Sequence, residues 1–157
     1  ALYNTLECSG RAHLIVKLVH GEIGQIIINI VGQVVLELFQ INLTDAEIDA
    51  INAAGDHGAV PKNVLRMKIE MSHGEPVGEL VKEAFEKGYY EHVSNITADS
   101  LEGVFHVGNM GPEENIERFK PMHSVSVGDV VLDQDGMFHM VASFGFDAVN
   151  ELNMEIA

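Results

Sequence analysis

The stretch HSVSVGDVVLDQDGMFHMVASFGF, residues 123–146, has the most regular pattern in this chain. Apolar residues dominate positions 125–132 and predict a strand. The Asp-Gly pair at 135–136 is typical of a tight β-hairpin turn, because glycine accepts the left-handed conformation that such turns require. Apolar and polar residues then alternate over 138–143, which predicts the returning strand. The stretch therefore predicts a C-terminal β-hairpin.

Two details of this stretch add to the prediction of a hairpin. Gly128 and Asp129 interrupt the first strand, and we expect a tight turn there, with glycine at a positive φ angle and the aspartate bonded to nearby backbone. Phe144 and Phe146 follow the second strand, and we expect both aromatic rings to close one end of the core.

The rest of the chain mixes strands and helices without strict alternation, which is typical of the α+β class. We predict a small mixed sheet with the C-terminal β-hairpin and three to four helices, in a single domain over residues 1–157. Strands are predicted at 2–9, 12–21, 64–72 and 89–97, and helices at 43–55, 75–88 and 99–109. Residues 56–63 are predicted to be a flexible loop, and residues 110–122 an irregular surface excursion.

Helix and strand signals compete in the apolar segment 22–41. Polar residues recur every four positions from Gln25 to Glu37, which favours a helix with one narrow polar stripe. The density of Ile and Val and the presence of two glycines favour a buried strand instead. We favour the helix and keep the strand as the alternative. Either form is too apolar to stand free, so we expect it to be core or to make a homo-oligomer through residues 23–41.

The charge of the chain limits the kinds of partner that we expect it to bind. Twenty-four Asp and Glu face nine Lys and Arg, which gives a formal net charge of −15. Such a surface repels phosphate backbones and anionic lipids, so we expect no direct nucleic-acid binding and no membrane binding. It attracts basic surfaces, including those with which proteins hold DNA or RNA. The longest uncharged run, 14 residues, is shorter than the roughly 20 that a membrane span needs.

We expect a cytoplasmic protein. The chain opens with ALYNTLECSG, which has neither the basic nor the apolar region of a signal peptide. The single cysteine, Cys8, cannot form an internal disulfide and falls in a predicted strand, where we expect it to be buried and inert.

No catalytic framework is present in the sequence. His123 and Ser124 are neighbours in an extended segment, so their side chains point to opposite faces and cannot easily meet. Neither a GxSxG nor an HExxH motif occurs. We therefore predict no catalytic residues, no metal and no cofactor. Six polar residues of the hairpin region are kept as candidate binding residues: His123, Ser124, Asp129, Asp133, Asp135 and His139.

The C-terminal half carries a combination of motifs. Leu101, Glu102 and Phe105 are followed by an HSxSVGDVV box at 123–131, the Asp-Gly pair and an SFGF segment at 143–146. This combination resembles the YodL-like domain family, small uncharacterised proteins of phages and mobile elements. The resemblance covers residues 80–147 and leaves residues 1–75 unplaced. It implies a phage or mobile-element origin and no settled activity.

Three function classes follow. The first is an acidic phage or mobile-element protein that acts in the host cytoplasm and binds and inhibits or modulates a host protein, one with a basic, nucleic-acid-binding surface. The second is a small enzyme or ligand-binding domain that uses His123, Asp129 and His139. The third is a structural component of a phage assembly. We favour the first and lean against an enzyme.

Overall fold

The computed structural model describes residues 2–8, 12–18, 32–72 and 76–156. Five α-helices and eight strands lie in these ranges. The strands are β1 (Leu2–Cys8), β2 (Ala12–Leu18), β3 (Val34–Ile41), β4 (Tyr90–Ala98), β5 (Ile116–Arg118), β6 (Val130–Leu132), β7 (Phe138–Val141) and β8 (Phe146–Ala148). The α-helices are α1 (Asp45–Ala54), α2 (Pro61–Met71), α3 (Pro76–Glu86), α4 (Leu101–Met110) and α5 (Asn150–Ile156).

Six of the strands form one antiparallel sheet in the order β5-β4-β3-β6-β7-β8. Strands β1 and β2, both predicted from the sequence, pair with each other as a separate antiparallel two-stranded sheet. Strands β6 and β7 form the predicted C-terminal hairpin. The α+β class is therefore confirmed, with antiparallel pairing throughout the described sheet and more described helices than the three to four expected.

The preferred helix over 22–41 is wrong for its second half, because Val34–Ile41 is the central strand β3. This strand pairs with β4 on one side and β6 on the other, so it has a hydrogen-bonded neighbour along both edges. Side chains alternate accordingly: Leu36 and Leu38 are buried, while Val35 is 48% exposed. Residues 22–31 of this segment lie outside the described residues.

The strand predicted at 64–72 is also wrong, because these residues belong to helix α2. Leu65 and Ile69, four positions apart, are its buried apolar residues, and this spacing places them on one helical face. The predicted loop 56–63 contains a short 3₁₀ turn, and Pro61 already occupies the first turn of α2.

Three helices match their predictions. Thr44 caps helix α1 and forms a capping box with Glu47, and Ser100 caps α4. Helix α3 buries Val81 and Ala84. Strands β5 and β8 and helix α5 were not predicted, and the first strand of the C-terminal hairpin is only Val130–Leu132 rather than 125–132.

The sheet separates two cores. Helix α4 packs on one face through Val104 and Val107, and helices α2, α3 and α5 pack on the other. Neighbouring residues of β6 serve opposite cores, since Val131 belongs to the first and Val130 to the second. None of the helices within the described ranges is long and apolar enough to span a bilayer.

Candidate functional site

The two motif boxes of the C-terminal region meet at one end of the sheet. Strand β3 ends there at Ile41, β6 begins at Val130, and β7 ends at Val141, opposite Phe146 of β8. The loop 121–129 that precedes β6 and the turn 143–145 that follows β7 therefore lie at the same end. Backbone hydrogen bonds join them: Val141 N donates to Asp129 O at 2.8 Å, and Gly128 N donates to Val141 O at 2.9 Å.

A buried glutamine holds the loop 121–129 against β3. Gln40 is fully buried, on the same face of β3 as Leu36 and Leu38. Its Nε2 donates to Asp129 Oδ2 at 2.8 Å and to His123 O at 3.0 Å, and its Oε1 accepts from His123 N at 3.1 Å. One amide group thus satisfies both ends of the loop, which is how a buried polar side chain avoids a desolvation penalty.

Asp129 is the buried acid of this cluster, with 4% of its surface exposed. Its Oδ2 accepts from Gln40 and also from Ser126 N at 2.9 Å. Burial raises the pKa of Asp129 from 3.8 to about 6, and Glu70 also raises it; the His123 ring and the hydrogen bonds from Ser126 and Gln40 act in the opposite direction. The carboxyl therefore titrates close to neutral pH.

His123 lies beside Asp129 without forming a catalytic pair. Its Nε2 is 3.9 Å from Asp129 Oδ1, which is beyond hydrogen-bond distance. Its Nδ1 lies 2.8 Å from Ser124 O, and Ser126 Oγ donates to the same carbonyl at 2.8 Å. The hydroxyl of Ser126 is thus used in fixing the loop, and the cluster contains no serine activated by the imidazole.

The cavity beside this cluster is small. It has a volume of about 20 Å³ and is lined by Arg66 and Glu70 of α2, together with His123, Ser126 and Asp129. That volume accommodates about one water molecule. The Nε of Arg66 is buried and has no hydrogen-bond partner among the described residues. A substrate has no room at this position.

The other candidate residues form a separate cluster in the turn between β6 and β7. Asp133 Oδ1 accepts from the backbone N–H groups of Asp135 and Met137, both at 2.9 Å, and its Oδ2 lies 2.8 Å from His139 Nε2. Burial raises the pKa of Asp133, but the hydrogen bonds from Met137, His139 and Asp135 outweigh it, so the pKa lies below its usual value. Asp133 therefore organises the hairpin turn.

His139 does not join Asp129 and His123. It pairs with Asp133 and lies opposite Val131 in the hairpin register, two positions along the strand from Val141, which bonds to Asp129. Two positions in a strand correspond to roughly 7 Å. The six candidate residues thus divide between two sites, and within the described ranges no three His, Cys, Asp or Glu side chains lie close enough to hold a metal ion.

Phe144 and Phe146 have opposite environments. Phe146 packs against the core on the α4 face, as expected. Phe144 is 95% exposed, so the expectation that it closes the core is wrong. The reason is the turn itself: Gly145 has φ of 68°, Ala142 N donates to Gly145 O at 3.0 Å, and this tight reversal leaves the ring of Phe144 at its tip.

These positions define an exposed patch that we call the end surface: His123, Ser124, Ser126 and Phe144. Sequence reasoning identified the motif residues but missed Gln40, Arg66 and Glu70. The signal for Gln40 was a polar residue two positions after Leu38 on the buried face of a strand, and it was visible only once this segment was assigned to a strand. Comparison of the chain with protein-family models, curated proteins and solved structures finds no match.

Proposed function

We propose that this chain is a non-catalytic phage or mobile-element protein that binds a host protein through the end surface and inhibits or modulates it. The observation that carries the proposal is Phe144, a phenylalanine 95% exposed at the tip of a tight turn. Exposed aromatic side chains that are held by rigid backbone are typical anchors of protein interfaces, since they bury much apolar area at small entropic cost.

The polar cluster supports binding rather than catalysis. Gln40 and Asp129 bond to each other and to the loop 121–129, and the adjoining cavity has a volume of only about 20 Å³. We infer that the cluster fixes the loop so that Ser124 and Ser126 are presented beside Phe144 in one arrangement. A preorganised surface loses less entropy when a partner binds.

The charge of the protein supports a basic partner. Six of the seven Lys and Arg side chains that the structure describes lie within 3.9 Å of an acidic side chain of the same chain. The protein's own cations are thus largely neutralised, and the remaining acids dominate a net charge of −15. Such a surface accelerates association with a basic protein, as a nucleic-acid-binding protein would be.

The test compares two phenylalanine substitutions. Phe144→Ala and Phe105→Ala remove the same side chain from two exposed positions, one on the end surface and one on the outer side of α4. Each immobilised protein is incubated with a bacterial host lysate, retained proteins are identified, and the affinity of each purified candidate is then measured. We expect one basic protein to bind wild type and Phe105→Ala and to bind Phe144→Ala about thirtyfold more weakly, with unchanged melting temperatures.

The dependence of binding on salt concentration distinguishes this proposal from the alternatives. Binding to a basic partner should weaken as ionic strength rises. If the three proteins retain the same set with equal affinities, the end surface is not the binding site and the proposal is wrong. Turnover of a small-molecule substrate that is lost in His123→Ala would favour the enzyme instead.

A further inference from the structure

A second feature lies along helix α2, on the face of the sheet that this helix covers. A groove of about 520 Å³ runs beside this helix, far larger than the cavity next to Asp129. Its floor is a stripe of Val64, Met67, Lys68 and Met71, at spacings of three and four residues along one helical face, and Leu80 of α3 forms part of its wall.

This stripe is a second face of α2. Leu65 and Ile69 already bury the opposite side of the helix in the core. Of the stripe, Val64 and Met67 are half-buried, whereas Lys68 is exposed and Met71 is 71% exposed. Spacings of three, four and seven residues are those with which one helix packs against another. Methionines at such a surface adapt their shape to an incoming apolar side chain.

The charge at the groove is unusual for this protein. Among the seven Lys and Arg side chains that the structure describes, all of them in residues 62–120, Lys68 alone has no acidic partner, whereas the six others each pair with Glu. Its place in the last turn of α2 complements the helix dipole, yet the ammonium group itself stays free. An apolar stripe with one unpaired cation complements a ligand with an apolar stripe and a carboxylate.

We propose that this groove binds an amphipathic α-helix of a partner protein, with apolar residues at i, i+3, i+4 and i+7 and a Glu or Asp that pairs with Lys68. Helix α2 has 11 residues and is therefore roughly 16 Å long, which matches about three turns of a partner helix. A small fatty carboxylate fits the charge but would stay largely exposed along so open a groove, whereas a helix covers it. The site is distinct from the end surface and does not depend on it.

The experiment uses two synthetic peptides of about 15 residues, long enough to be partly helical. Both carry Leu at i, i+3, i+4, i+7 and i+11, and they differ at one flanking position, Glu in the first and Lys in the second. Binding to the full chain is measured by fluorescence anisotropy. We expect wild type to prefer the Glu peptide up to about fivefold, the range of a solvent-exposed ion pair.

Four variants test the contact, two in the groove and two as controls. Lys68→Glu, at an exposed position, should reverse the preference so that the Lys peptide binds more tightly. Met71→Asp should weaken both peptides equally. Met110→Asp is the matched control, since Met110 is also an exposed methionine near the end of a helix but lies on α4, and it should change neither affinity. Phe144→Ala should also leave both affinities unchanged, which separates this groove from the end surface.

Three outcomes would overturn the proposal. The first is the absence of binding of either peptide to wild type at about 1 mM, a concentration that detects even weak complexes. The second is a preference that Lys68→Glu leaves unchanged, because the carboxylate would then meet a different group. Displacement of an apolar dye by dodecanoate, with no displacement by the peptides, would assign the groove to a small amphiphile and reject a partner helix.

Discussion

Replacing Asp129 by Asn should remove a titrating carboxyl from the interior and keep its hydrogen bonds. Gln40 Nε2 and Ser126 N both donate to the same oxygen, Oδ2. The amide oxygen of Asn also has two lone pairs and can accept both. The substitution thus changes the ionisation of this position more than its packing, which makes the buried charge measurable by itself.

The pKa of Asp129 sets the sign and size of the change in stability with pH. Burial raises the pKa of Asp129 from 3.8 to about 6, so the folded state favours the protonated acid. The stabilisation that the protonated form contributes is fully present below about pH 4 and is lost as pH rises through about 6. One pKa unit corresponds to about 1.4 kcal/mol, so the loss amounts to roughly 3 kcal/mol. Asp129→Asn has no carboxyl at this position and should not lose this stability as the pH rises.

The assay is urea unfolding followed by far-UV circular dichroism at about pH 4 and about pH 7. The two proteins should have similar free energies of unfolding at the lower pH, and Asp129→Asn should be more stable by up to roughly 3 kcal/mol at the higher pH. Asp133→Asn is the control of opposite sign, since the pKa of Asp133 is lowered and its loss should destabilise the protein near pH 7. A difference between wild type and Asp129→Asn that is the same at both pH values would refute the reasoning.

Three further predictions concern the hairpin, nucleic acid and assembly. Gly128→Val should lower the free energy of unfolding by a few kcal/mol, and by more than Gly136→Val does. Both glycines have positive φ angles, but only at Gly128 would an added Cβ meet Ile69 and Glu70, at 3.4 Å. Equal melting temperatures would contradict this prediction. Neither DNA nor RNA should be retarded in a gel shift at micromolar protein and physiological salt, given the net charge of −15. Wild type should be a dimer by light scattering, and Val35→Glu should be a folded monomer, since Val35 is half exposed; a monomeric wild type would end the idea of assembly through residues 23–41.

The elements that the sequence predicts well are those in which local chemistry and packing agree. The capping box of Thr44 and Glu47 and the Asp-Gly turn at 135–136 specify their own backbone, so tertiary contacts only confirm them. Residues 64–72 are the opposite case. Leu65, Met67, Ile69 and Met71 alternate with charged residues, but the two methionines are not part of the core, and only the spacing of Leu65 and Ile69 reflects burial. Two methionines that lie outside the core therefore gave this helix the alternating pattern of a strand.

The candidate site depends on contacts between distant parts of the chain. Gln40 meets His123 and Asp129 across 83 and 89 residues, and Arg66 and Glu70 reach the same place from α2. No local pattern encodes such proximity. The sequence could identify Asp129 as a turn residue, but its burial, which raises its pKa, arises only when the loop 121–129 packs against β3.

The position of β3 in the sheet also determines the order in which the protein can fold. Val34 pairs with Ala98 and Phe39 with Val130, so both partners of this central strand come later in the chain. During synthesis, β3 must wait for β4 and then for β6, and until residue 132 is available one of its edges has no strand to pair with. Pairings this far apart in sequence make folding slow, and an apolar strand with an open edge is prone to aggregate. A nascent chain that stops before β6 should therefore be a substrate for chaperones, whereas a chain that includes β6 has a pairing strand for both edges of β3.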